Sequence, residues 1–209
     1  MKFNLRKFAT VFILLNAVLF MGGCTASWIG AIQALMPAIN AAISAVFAFI
    51  AALEGKVIPE NVMAAIQKIQ DDISASLTNL STLIADATAN ASATVVQEIE
   101  AVANSIVSNL NSILSGLSVT DPSTIGKITN LVGLAVAALE AILAILPLAM
   151  KAFSTTMSAK ELESADKSLA HNFKATHKAI KDAYHVTVST PTVNPEVNLA
   201  LATLPSQLP

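Results

Sequence analysis

No charged residue stands between Cys24 and Glu54, and the large apolar residues of this stretch recur three and four positions apart: Ile29, Ile32, Met36, Ile39, Ile43, Val46, Ile50 and Leu53. A half-buried strand alternates with a period of two, so this spacing selects a helix packed lengthwise on partners. Pro37 falls inside the run and is expected to kink it or remove a hydrogen bond. Gly55 and Pro59 mark the stop and the turn.

The same period continues along the chain. Val62, Ile66, Ile69, Ile73, Leu77, Leu80 and Ile84 form one series, and Val95, Ile99, Val102, Ile106, Leu110, Ile113 and Leu117 another. Between them, Asp86 to Thr94 lacks large apolar side chains, and Thr94 with Gln97 reads as a capping box. A break between two helices is therefore favoured over one very long helix. The polar faces here are rich in Ser, Thr and Asn. Their charges are acidic (Glu60, Asp71, Asp72, Asp86, Glu98, Glu100) apart from Lys68. Asp121 and Pro122 suit the N-cap and first position of the next helix. That helix carries Ile125, Ile128, Val132, Ala135, Leu139, Ile142, Leu146, Ala149 and Phe153 on one face and Leu131, Leu134, Ala138, Ile145 and Leu148 on others. A helix apolar all round is a bundle centre or a membrane span.

Ser158 with Glu161 reads as a further capping box, opening a charged helix to about Tyr184 with a thin stripe of Leu162, Leu169, Phe173 and Ile180. Its acids come early and its lysines late, as the helix dipole favours. Beyond His185 the Thr-, Val- and Pro-rich chain reads as an extended or disordered tail, with room for a short helical turn after Asn194-Pro195-Glu196. The expected architecture is all-α: an up-down bundle of about four long helices over 24–157, a polar C-terminal helix over 158–185 and a tail over 186–209.

Composition agrees with an all-helical chain. It is 54% hydrophobic and 12% charged, where about 25% charged is usual. Only 7 Gly and 8 Pro interrupt the periodic runs. The net charge of −2 offers no footprint for a nucleic-acid partner. The single Cys excludes an internal disulfide and any multi-cysteine metal site.

Residues 1–23 read as a targeting segment. Lys2, Arg6 and Lys7 make a basic start, and an apolar stretch from Ala9 to Met21 follows. That stretch is short for a bilayer span of roughly 20 residues. Met21-Gly22-Gly23-Cys24 resembles the lipobox of bacterial lipoproteins, with Met21 where Leu is usual. The resemblance covers the first 24 residues and implies cleavage between Gly23 and Cys24 and diacylation of Cys24. It further implies lasting attachment to membrane lipid, since two or three acyl chains hold far better than one. Thr25 follows, and in enterobacteria-like sorting a residue other than Asp there points to the outer membrane rather than the inner. The resemblance thus places the chain at a bacterial cell envelope. Loss of Lys2, Arg6 and Lys7 moves the net charge from −2 to −5.

Few residues suggest chemistry. Glu140, the one charge from Leu131 to Met150, would need a partner or a proton if buried. The bland alternative is that it reaches the bundle surface. His171, Lys174, Lys178, Lys181 and His185 form a basic stripe suited to anionic headgroups or an acidic partner, or simply to water. His171 and His177 fall on different faces, so no metal site is expected, nor any cofactor. Trp28 suits a membrane interface or packing at the bundle end. No nucleophile elbow, HExxH or Gly-rich phosphate loop occurs, and the expectation is that the chain is not an enzyme. The expected role is a lipid-anchored envelope protein that binds, scaffolds or supports, its protein partner unspecified. The alternative is a membrane-inserting protein with spans near 28–53 and 131–150. A carrier of a hydrophobic ligand is disfavoured, because Ala-lined seams leave little room for a cavity.

Overall fold

The computed structural model describes residues 5–117, 119, 121–153 and 159–208; within these, the side chains of 5–27, 152–153, 159–163, 165–166 and 168–173 are not described. The architecture is all-α. Among the described residues six helices follow one another: α1 (Leu5–Ala52), α2 (Glu60–Asn90), α3 (Ala93–Gly116), α4 (Pro122–Phe153), α5 (Ala159–Ser189) and α6 (Pro195–Ala202).

The helices form three layers. α2 packs on α3, α1 packs on α4, and these two pairs join through α3 against α4 and α2 against α1. α5 lies over α4 and α1, and α6 fills in against α1 and α5. α1 and α4 are therefore the middle layer. Their burial patterns show it directly. All eight residues of the α1 series are buried, and so is a second face made of Leu35, Ala38, Ala42, Ala45 and Phe49. α4 likewise buries Ile128, Val132, Ala135, Leu139, Ile142 and Leu146 on one face and Leu131, Ala138 and Ile145 on the other. The outer helices bury one stripe each: Ile66, Ile73, Leu80 and Ile84 on α2, and Val96, Ile99, Ala103, Ile106, Leu110 and Ile113 on α3. One seam suffices for a helix with water on its far side, whereas a helix covered on two sides needs apolar groups around most of its circumference.

The breaks follow local chemistry. α1 ends where Gly55 takes a left-handed φ of 69°, a conformation that costs glycine no Cβ clash. The carbonyl of Leu53 then accepts from the backbone N–H groups of Val57 and Ile58. α1 runs through Pro37, which sits on its exposed face. Two expectations need correcting. The break between α2 and α3 is real, but its cap is not Thr94 with Gln97: the hydroxyl of Ser92 accepts the bond from the backbone N–H of Val95, 3.3 Å away. Ser92 has the extended backbone (φ −147°, ψ 160°) of an N-cap, whereas Thr94 is already helical. The C-terminal region is also not a loose tail. α5 continues to Ser189, α6 begins at Pro195 with Asn194 as its cap, and Val197, Leu201, Leu204 and Leu208 are buried. These apolar residues recur four, three and four positions apart, a helical spacing that the surrounding Pro191, Pro195 and Pro205 obscured, and they close the open edge of the α1–α5 groove. The capping box proposed at Ser158 falls outside the described residues.

Ser92→Ala should lower stability by about 1 kcal/mol, whereas Thr94→Ala should change it by less than about 0.5 kcal/mol. Urea unfolding of both variants, followed by circular dichroism, checks the assignment.

Candidate functional site

The two ends of the bundle differ. At one end lie the start of the described α1 side chains, the α2–α3 turn and the end of α4. A hydrogen bond from Gln33 Nε2 to Thr88 Oγ1 (3.1 Å) ties α1 to α2 there. Cys24 and Gly23 lie in α1 on the same side, four and five residues before Trp28, and their side chains are outside the described set. Trp28 itself is buried, and its Nε1–H is without a hydrogen-bond partner. An indole in a membrane interface keeps its N–H wet. In this fold Trp28 packs at the bundle end.

The opposite end holds a polar lock made from three helix termini. Asp121 caps α4: its Oδ2 accepts from Thr124 Oγ1 (2.5 Å), Ser123 Oγ (2.7 Å) and the Thr124 backbone N–H (3.1 Å). The same oxygen accepts from Asn194 Nδ2 at 3.1 Å. Asn194 Oδ1 in turn caps α6, accepting from the backbone N–H groups of Glu196 (3.0 Å) and Val197 (3.4 Å). Two helix N-termini are thus capped by side chains that bond each other. The hydroxyls of Thr124 and Ser123, followed by Asn194, hold the Asp121 carboxyl far below the usual carboxylate range. The third terminus belongs to α5. Lys127 Nζ, on α4, donates to the carbonyl oxygens of Thr187 (2.6 Å) and Thr190 (2.7 Å). This meets the C-terminal carbonyls of α5 with a cation, where the helix dipole is negative. Burial pushes the Lys127 ammonium pKa down. Asn198 adds a brace, accepting from the Thr192 backbone N–H (2.7 Å) and donating to the Thr192 carbonyl (2.8 Å).

Sequence reading found Asp121 as a cap but missed Asn194 as its partner, because the two are far apart in the chain. It missed Lys127 altogether. A Lys in the first turns of an apolar helix gives no sign that it meets another helix end.

The other candidates separate. Glu140 is exposed, on an outer strip of α4 shared with Gly126, Gly133, Ala144 and Pro147. It is not an inward-facing carboxylate: the strip lies on the side of α4 away from its buried seams. On α5, Lys174 and Lys178 are exposed and Lys181 is half-buried. Lys178 bonds Asp182 one turn on. His185 is exposed, and its Nδ1 lies 3.2 Å from the Ser206 carbonyl oxygen, beside the buried Tyr184, whose hydroxyl donates to the Pro205 carbonyl. The side chain of His171 is outside the described set. Among the described residues no three His, Cys, Asp or Glu come together as a metal site. A shallow groove of about 610 Å³ between α4 and α5 is lined by Asn130, Gly133, Leu134, Ala183 and Val186.

Comparison with known protein families found no matching model, and comparisons with curated proteins and with solved structures found no match.

Lys127→Met should destabilise the fold by about 1–3 kcal/mol, since two carbonyls lose their partner, while Glu140→Gln should stay within about 0.5 kcal/mol; denaturant titration compares them. The depressed Asp121 pKa fixes a further sign. Its contribution is complete above the unfolded carboxylate value near pH ~4 and is lost as pH falls toward the folded value. The stability gap between the wild type and Asp121→Asn should therefore be constant above about pH 5 and narrow below about pH 4.

Proposed function

We propose that the chain is a lipid-anchored protein of a bacterial cell envelope, in which a helical bundle is held at the bilayer through acylated Cys24 and acts by binding or scaffolding. The observation that carries this reading is the placement of the only cysteine. It follows a basic start, a short apolar run and Gly22-Gly23, as the bacterial lipobox requires. Cleavage before Cys24 would divide α1 and leave its bundle portion attached directly to the acylated residue. With about 1.5 Å of rise per residue, the stretch from Trp28 to Ala52 then forms a rod of roughly 36 Å leading to the polar lock.

A second reading is insertion. Two helices, Trp28–Ala52 and Pro122–Lys151, are long and apolar enough to cross a membrane. They are also the middle layer. In their most apolar stretches, 56% and 44% of residues are already buried within the bundle. Packing on two sides accounts for their composition without a bilayer, which favours the anchored bundle.

Intact mass of the protein purified from bacterial membranes should correspond to a chain beginning at Cys24 with two or three acyl groups added. Cys24→Ala should abolish the addition. An unmodified chain beginning at Met1 would refute the anchor. For a wild-type chain whose acyl groups are confirmed, replacing the leader to yield a free domain from Thr25 onward should give protein recovered in the carbonate-soluble fraction; retention in the membrane pellet would favour insertion.

A further inference from the structure

The tertiary structure sorts charge between its outer layers. Glu60, Asp71, Asp72, Asp86, Glu98 and Glu100 are all exposed on α2 and α3, with Lys68 as the opposing cation. α5 covers α1 and α4 and makes no substantial packing with α2 or α3, so it lies on the opposite side of the middle layer. In its sequence Glu161, Glu163 and Asp166 come first; beyond Lys167 the only acid is Asp182, against Lys174, Lys178 and Lys181. Lys174 is exposed, Lys178 is exposed and paired with Asp182, and Lys181 is half-buried, so the second half of α5 keeps a net positive charge. The bundle is therefore polarised across its thickness, acidic on one broad face and basic along the second half of α5 on the other.

We infer that the α5 face, through Lys174, Lys178 and Lys181, docks on anionic phospholipid headgroups, so that the anchored bundle lies along the bilayer with its acidic α2–α3 layer turned away. The inference rests on the anchor reading for its geometry: α1, which begins at the tether, is itself in contact with α5. Charge supplies the direction. Packed helix axes stand about 8–10 Å apart, so the two outer layers are separated by roughly 16–20 Å across the middle layer. The Debye length at physiological salt is about 8 Å. Headgroups touching α5 thus feel its lysines, while the acids behind are screened, and the net negative charge of the domain does not prevent docking. Rotation of the domain by half a turn would bring six carboxylates against the same surface, a repelled orientation.

The test uses the acylated full chain in vesicles. The thiol of Cys24 is consumed by its lipid, so one added cysteine can be labelled alone. Ala175→Cys on α5 and Ala101→Cys on α3 are both exposed sites. Energy transfer to headgroup acceptors should be stronger from position 175 than from position 101 in phosphatidylglycerol-containing vesicles. The difference should disappear in pure phosphatidylcholine, at about 500 mM salt, and in the Lys174→Glu/Lys178→Glu variant, whose fold is checked by circular dichroism. Equal transfer from both positions in anionic vesicles, or a difference that survives salt and the double variant, would overturn the inference. Flotation separates this from failure of the anchor: an anchored chain floats with phosphatidylcholine vesicles at any salt, whereas an unanchored chain whose lysines dock floats with anionic vesicles alone and is released by salt.

Discussion

The structure depends on covering α1 and α4 from two sides. Each carries apolar residues around more of its circumference than one neighbour can hide. The α2–α3 pair covers one side, and α5 with α6 covers the other. Every other feature serves that burial. Short turns bring α2 back along α1 and α3 along α4. The outer helices carry single buried stripes and polar backs. The C-terminal residues Leu201, Leu204 and Leu208 close the remaining edge.

Covering the second side places a polar demand at the far end. Docking α5 and α6 brings a helix C-terminus and a helix N-terminus to the start of α4, where their unsatisfied backbone groups need partners. Lys127 meets the carbonyls, and Asp121 with Asn194 meets the N–H groups of two helices at once. The buried polar residues Lys127, Thr124 and Thr187 cluster at this end, while the apolar core fills the length between. Such a lock stabilises one register of α5 on α4. A slip of one helical turn would leave Lys127 buried without its carbonyls, a cost of several kcal/mol for a desolvated charge.

The proposed anchor sits at the opposite end from this lock. Apolar packing then begins four residues after the acylated cysteine, without a polar tether, and the domain is held close to the bilayer. A bundle held so closely meets the membrane with one of its faces, and the separation of charge between its outer layers gives that meeting a preferred side.

Periodicity by itself determined the helices, their order and the core series of α1, because a helix repeats its buried face every three to four residues whatever its partners. Cap and breaker residues located the turns at Gly55 and Asp121, and the resemblance of Met21-Gly22-Gly23-Cys24 to a lipobox singled out Cys24 as the residue on which the proposed attachment depends. Ile125, read as a seam residue, is 42% exposed instead, since α4 begins beside the lock and not inside the core. The tertiary structure alone decided that Glu140 faces out, that Trp28 faces in, that Lys127 caps a helix from another part of the chain, and that the acids of α2 and α3 and the lysines of the second half of α5 lie on opposite sides of the middle layer. These are relations between distant segments. A single helix cannot encode which of its faces a neighbour will cover, and only the packing of the middle layer settles it.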